Sequence, residues 1–130
     1  MSSRRLFSTT AIKRERVLLV AGILPDDDDT AWRESLNELK ELVSTASGEV
    51  VGEIFQRIPH PGQTGYLGKG KLEEIAAMVK EQGIDLLAFD NDLKPSQAKA
   101  VEEVVGCRVV DRTEVIDRKS TRLNSSHVSQ

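Results

Sequence analysis

Residues 17–22 read Val-Leu-Leu-Val-Ala-Gly, an unbroken apolar run that follows the charged residues 13–16. A strand with one face in water alternates apolar and polar side chains, whereas a strand covered on both faces does not. The run therefore predicts a buried strand of a parallel sheet. Three further segments, at residues 50–55, 86–89 and 108–110, also predict strands.

Between these runs, apolar residues recur at helical spacing. The first stripe follows a run of four aspartates, where Asp29 or Thr30 can cap a helix, and Gly48 is expected to end it. A second stripe starts at Leu72, and a third starts at Pro95, whose missing N–H costs nothing at a helix start. The order βαβαβαβ, with right-handed crossovers, predicts an α/β fold: a small doubly wound parallel sheet of about four strands with helices on its faces.

Charge is distributed unevenly along the 130 residues, whose formal net charge is -3. Residues 17–116 carry 10 Lys+Arg against 19 Asp+Glu, a net charge of -9, whereas both ends of the sequence are basic. Nucleic-acid affinity comes largely from clustered cations that neutralise phosphates, so such a body is unsuited to general backbone binding. Any RNA contact is therefore expected to be local.

Two features of the sequence indicate the cellular compartment of the protein. The single cysteine, Cys107, excludes an internal disulfide and a cysteine-based zinc site, so a reducing compartment is expected. No apolar run approaches the roughly 20 residues that a membrane helix needs. We therefore expect a cytoplasmic protein with no membrane span.

Residues 65–71, Gly-Tyr-Leu-Gly-Lys-Gly-Lys, formally satisfy the phosphate-binding pattern G-x-x-x-x-G-K. Leu72 follows where that loop needs the hydroxyl of Ser or Thr for magnesium, so we expect no complete Walker A site. Two interpretations remain open. An anion could lie against the helix N-terminus beside Lys69 and Lys71, or the glycines only shape the turn and the lysines are solvated.

Functional residues of parallel α/β sheets gather at the carboxyl ends of the strands. We predict strand-end contacts from Asp90, Asp92 and Arg112, and we expect a long functional or mobile loop after Arg57. The aspartates at 26–29 are interpreted as a solvated charge run rather than a metal site, because consecutive side chains cannot all point at one ion.

Several short motifs occur in a fixed order along residues 13–116. They are Lys-Arg-Glu-Arg at 13–16, Gly-Glu-Val-Val-Gly-Glu at 48–53 with Gln56 and Arg57, Tyr66 before Gly-Lys-Gly-Lys at 68–71, Asp90 and Leu93 with Pro-Ser-Gln at 95–97, and Asp-Arg-Thr-Glu-Val-Ile at 111–116. Together they resemble the amino-terminal domain of the HflX family of ribosome-associated GTPases. Gly65 and Asn91 depart from that family's usual threonine and acid.

The resemblance implies a GTP-binding protein that associates with ribosomal RNA of the large ribosomal subunit and acts in ribosome splitting or rescue. GTP and Mg²⁺ would bind in a later G domain, so this fragment alone is expected to be inactive as a GTPase. The resemblance also implies that this amino-terminal module itself binds an adenine nucleotide, so ATP is a candidate ligand. The residues implied for nucleotide, anion or RNA binding are Arg57, Tyr66, Gly68, Lys69, Gly70 and Lys71. A free-standing nucleotide- or anion-binding α/β module, without the G domain, is the alternative. We expect a monomer.

The two ends of the sequence differ from its body. Residues 1–12 are basic and rich in hydroxyls, which is typical of a disordered leader; a transit peptide, and hence the mitochondrial matrix, is the alternative. Residues 117–130 resemble a translated sequencing adapter, and a genuine polar, disordered tail is the other interpretation. We therefore expect one α/β domain over residues 13–116 of a truncated sequence.

Overall fold

A computed structural model of the chain describes residues 15–60 and 67–117. Within these ranges four strands alternate with three α-helices: β1 (Glu15–Ile23), α1 (Asp29–Thr45), β2 (Gly48–Arg57), α2 (Lys69–Gln82), β3 (Leu86–Phe89), α3 (Pro95–Val105) and β4 (Arg108–Asp111). A short helix over residues 112–117 follows β4. The predicted α/β class and the βαβαβαβ order are confirmed. The leader predicted at residues 1–12, and all of the predicted tail except Asp117, lie outside the described residues.

All four strands are parallel, and their order across the sheet is β2-β1-β3-β4. The connection from β1 runs to one edge of the sheet, whereas the connections from β2 and β3 run toward the other. Right-handed crossovers therefore place α1 on one face and both α2 and α3 on the opposite face. The strand order reverses between β1 and β3.

β1 supplies both cores, as its unbroken apolar run predicts. Leu18 and Val20 pack with the α2 and α3 side, whereas Val17 and Leu19 pack with the α1 side, and none of the four is more than 1% exposed. Successive side chains of a strand point to opposite faces, so a strand with helices on both sides needs apolar residues at every position.

Each helix buries one apolar stripe. The buried apolar residues are Trp32, Leu36, Leu39 and Val43 in α1, Leu72 and Ile75 in α2, and Val101 and Val105 in α3. Their spacing of three and four residues keeps them on one side of each helix. Leu72 is only 5% exposed, which confirms that this residue joins the apolar face of its helix.

The start of α1 differs by one residue from the expected cap. Asp28 is the N-cap, and its carboxylate accepts a hydrogen bond from the Ala31 N–H at 3.0 Å. Asp29 and Thr30, the residues expected to cap, already lie within the helix. Because residues 26–29 are all aspartate, the sequence does not show which carboxylate caps the helix.

The end of α1 also corrects an expectation, because Gly48 does not stop the helix. The helix ends at Thr45, Ser47 adopts a positive φ of 76°, and Gly48 is the first residue of β2. A Cβ at residue 48 would lie 2.7 Å from Cγ1 of Val43. Glycine is therefore required there by the close approach of α1 to β2 rather than by a left-handed backbone.

Candidate functional site

The carboxyl ends of β1 and β3 border a cleft at the point where the strand order reverses. α1 leaves β1 over one face and α3 leaves β3 over the other, so the two segments diverge and leave space between them. The cleft has a volume of about 250 Å³. Its polar lining includes Asp27, Asp28, Ser35, Asp90 and Asn91, and Trp32 forms an apolar wall.

A partly buried ion pair joins Asp90, which lines this cleft, to Arg112. The Asp90 side chain is 7% exposed, and its Oδ1 accepts a hydrogen bond from Nη1 of Arg112 at 2.6 Å. The same nitrogen donates to Oγ of Ser35 at 2.9 Å, and Nη2 pairs with the Glu38 carboxylate. Arg112 therefore links the start of the 112–117 helix to β3 and to the middle of α1.

The environment shifts the pKa of both members of this pair. Burial raises the pKa of Asp90, and hydrogen bonds from Ser35 and Arg112 only partly oppose that shift. Burial also opposes the charged form of Arg112, but hydrogen bonds to Asp90 and Glu38 outweigh it and raise the Arg112 pKa. The charged form of Asp90 is therefore favoured by hydrogen bonds from Ser35 and Arg112 and by the positive charge of Arg112, whereas burial disfavours it.

Two more aspartates fasten the 112–117 helix. Asp92 accepts a hydrogen bond from the Thr113 hydroxyl at 2.8 Å. Asp111 accepts from the Glu114 N–H at 2.9 Å and from the Leu93 N–H at 3.0 Å. The fold therefore brings the predicted strand-end residues Asp90, Asp92 and Arg112 to one edge, where their side chains bind neighbouring parts of the domain.

Asn91 closes the floor of the cleft. Its Oδ1 accepts from the Gly22 N–H at 2.9 Å, and its Nδ2 donates to the Gly22 carbonyl at 3.1 Å. A carboxylate could accept but could not donate, so only an amide satisfies both backbone groups of Gly22. The amide at residue 91 thus has a structural role.

The turn before α2 holds most of the predicted anion-binding residues. α2 begins at Lys69, its N-cap Gly68 provides no side-chain hydrogen bond, and Lys69 and Gly70 are exposed. Lys71 is partly buried and pairs with Glu74 at 3.4 Å. Early N–H groups of a helix lack intrahelical acceptors, so an anion could bind here. Tyr66 lies outside the described residues.

Arg57 lies apart from this turn. Consecutive residues of β2 face opposite sides of the sheet. Gln56 faces α2, where its Oε1 accepts from the Gly68 N–H at 3.0 Å, whereas Arg57 faces α1 and pairs with Asp29 at 3.4 Å. The predicted set is therefore divided between the two faces.

Three residues at these sites, Ser35, Glu38 and Gln56, are not identified as site residues by the sequence alone. Ser35 and Glu38 resemble ordinary solvated helix residues, and nothing local connects them to Arg112, more than 70 residues away. Gln56 precedes Arg57 directly after the predicted second strand. Because consecutive strand residues face opposite sides of the sheet, Gln56 is expected on the side opposite Arg57, which is where it meets α2.

Other kinds of site find little support in the part of the chain that the structure describes. No group of three or more His, Cys, Asp or Glu side chains there is arranged to hold a metal ion. Burial raises the pKa of Cys107 to about 11, so this thiol is protonated at neutral pH. No helix among the described residues has the length and apolarity required to cross a membrane.

Comparison with known proteins gives consistent matches. A family model described as "GTP-binding GTPase N-terminal" matches residues 33–117. The GTPase HflX of Flavobacterium psychrophilum is 37% identical over 105 residues, which cover 81% of this chain and 25% of that protein. The GTPase HflX of Caldanaerobacter subterraneus subsp. tengcongensis is 42% identical over 103 residues, covering 79% and 23%. That of Escherichia coli is 38% identical over 104 residues, covering 78% and 23%. The chain thus spans about a quarter of the length of these relatives.

Proposed function

Because the chain belongs to the HflX GTPase family, we propose that it is the amino-terminal module of an HflX-like GTP-binding protein that associates with the large ribosomal subunit. In this proposal the protein acts in ribosome splitting or rescue, as a monomer in the cytoplasm. GTP and Mg²⁺ bind in a separate G domain, and the module contributes contacts to the subunit.

The burial of Leu72 is the main observation in support of assigning GTP hydrolysis to the G domain and subunit contacts to this module. The sequence before it satisfies G-x-x-x-x-G-K, but Leu72 occupies the position of the magnesium-binding hydroxyl and lies in the core at 5% exposure. The turn keeps two features suited to a phosphate, an uncapped helix N-terminus and the exposed Lys69. These features support a contact with ribosomal RNA or a nucleotide, without hydrolysis.

We predict weak and salt-sensitive binding of this chain to large ribosomal subunits. With the body at a net charge of -9, the RNA contact is limited to Lys69 and Lys71. Neutralising two phosphates gives a salt dependence of about tenfold in affinity between about 50 and 200 mM salt. Co-sedimentation with purified subunits across that range measures it. Tight binding that resists salt would contradict the proposal.

The alternative function, a free-standing nucleotide-binding module, is favoured by the same uncapped helix start. It predicts saturable binding of ATP that Lys69→Ala with Lys71→Ala reduces at least about tenfold, because each lost charge-assisted hydrogen bond contributes about 1.5 to 3 kcal/mol. Isothermal titration with ATP measures the affinity. Lys80→Ala with Lys99→Ala removes the same charge at exposed positions elsewhere and serves as the control. Equal loss in both double variants would count against a site at the turn.

A further inference from the structure

One exposed aromatic ring lies where β2 runs beside the start of α1. Phe55 is 50% exposed, although its ring contacts Trp32 with centroids 4.9 Å apart. Among the described residues, the exposed large hydrophobic side chains are Phe55, Val104 and Ile116. A single exposed apolar residue is ordinary. Phe55 differs from the other two because it adjoins, through Trp32, the cleft at the carboxyl edge of the sheet.

The same region carries uncompensated negative charge. Asp26, Asp27 and Asp28 are exposed, and none forms an ion pair with a described residue. The two nearby arginines are already engaged: Arg57 pairs with Asp29, and the guanidinium of Arg33 lies 4.8 Å from the centre of the Trp32 ring. Asp26–Asp28, Trp32 and Phe55 together are named the acidic-aromatic face.

Two of these carboxylates are fixed in place by the backbone. Asp27 accepts from the Leu24 N–H at 2.8 Å, and Asp28 accepts from the Ala31 N–H at 3.0 Å. Both line the cleft, whose floor is the Asp90–Asn91 edge. A partner therefore meets charges already held in position, which reduces the entropy lost on binding.

The size and charge of the cleft restrict what can enter it. About 250 Å³ is below the range of roughly 300 to 1,000 Å³ typical of ligand pockets, and it suits one long side chain. A phosphate would meet Asp27 and Asp28 and be repelled, whereas an ammonium or guanidinium group would be attracted. Phe55 offers an adjacent apolar contact, and aromatic residues are enriched in protein interfaces.

We propose that the acidic-aromatic face docks a basic segment of a ribosomal protein, with a Lys or Arg side chain in the cleft and an apolar neighbour on Phe55. This inference rests on the proposed function and adds that the contact from this face is to protein. The RNA contact belongs to the Lys69–Lys71 turn on the other face of the sheet. The acidic-aromatic face thus contacts protein and the Lys69–Lys71 turn contacts RNA on the large subunit.

Site-specific crosslinking distinguishes the partners. The photoreactive residue p-benzoylphenylalanine replaces Phe55 in one variant and Val104, exposed on the α3 side, in a control. Each variant is irradiated with purified large subunits at low ionic strength. We expect the residue-55 variant to crosslink to a protein, in a product that survives ribonuclease, with at least about fivefold higher yield than the residue-104 variant. A crosslink to RNA, or equal yields, overturns the inference.

Charge variants test the electrostatic part. Asp27→Asn with Asp28→Asn keeps both hydrogen-bond acceptors, and asparagine is as good an N-cap as aspartate, so α1 should remain intact. Glu81→Gln with Glu103→Gln removes the same charge from exposed positions on α2 and α3. The aspartate variant is expected to lower the crosslink yield from residue 55 about fivefold, and the control by less than about twofold.

The outcomes separate the two proposals. If the unmodified chain does not co-sediment with large subunits at low salt, both the proposed function and this inference fail. If it binds and the crosslink from residue 55 is insensitive to Asp27→Asn with Asp28→Asn, only the inference fails.

Discussion

Arg112→Met is expected to lower the free energy of unfolding by roughly 3 kcal/mol at neutral pH, because it leaves the Asp90 carboxylate buried without its partner. The Asp90 side chain is 7% exposed, and Arg112 supplies its 2.6 Å hydrogen bond. Methionine keeps much of the side-chain volume, so the loss reports the missing charge. Urea denaturation at pH 7.5 measures it. Glu38→Gln is the matched control: this partner of Arg112 is 65% exposed, and its loss should cost less than about 1 kcal/mol.

The loss of unfolding free energy caused by Arg112→Met should be smaller in acid, because protonation removes the unpaired charge of Asp90. Burial already raises the pKa of Asp90, and loss of the guanidinium raises it further. A carboxyl whose folded pKa exceeds its unfolded value of about 3.9 is destabilising when ionised, so stability falls as pH rises from about 4 through the folded pKa. Arg112→Met should therefore lose much less relative to wild type near pH 4 than at pH 7.5. An equal deficit at both pH values would show that the guanidinium acts through packing alone. Asp90→Asn in the Arg112→Met background should recover part of the loss at pH 7.5.

Leu72→Thr completes the phosphate-loop pattern in the sequence. We nevertheless expect it to lower the free energy of unfolding by about 3 kcal/mol and to produce no GTPase activity. Leu72 is 5% exposed in the core shared by α2, α3 and the sheet, so the change leaves a cavity and buries a hydroxyl. Thermal denaturation measures the stability, and phosphate release from GTP with Mg²⁺ measures turnover by wild type and variant. No turnover is expected from either.

Glu73→Thr provides the control, since it introduces the same residue one position along α2 on the exposed side. It should change stability by no more than about 0.5 kcal/mol. The GTPase assay is interpreted at temperatures where circular dichroism shows Leu72→Thr to be folded. Turnover gained by Leu72→Thr, with stability close to that of Glu73→Thr, would refute the separation of this turn from GTP chemistry.

The sequence by itself determined the strands, the helices and the layers of this domain. Residues 17–22 are apolar at every position because both faces of β1 are covered, and that requirement is visible in a single segment. Leu72 follows the spacing of Ile75, so its burial was also predictable. α2 and α3 end at Gly83 and Gly106, both with a positive φ that favours glycine, so these helix ends too depend on local sequence.

Only the tertiary structure decided which polar residues meet. Arg112 lies 77 residues from Ser35 and 74 from Glu38, and no periodicity links them. The strand order brings them together, because the carboxyl ends of β3 and β4 lie at the edge of the sheet that the middle of α1 approaches. The same geometry separates Arg57 from the Lys69–Lys71 turn and requires glycine at residue 48. Local pattern specifies which side of an element is buried, whereas the partners of a polar side chain depend on how distant elements are placed.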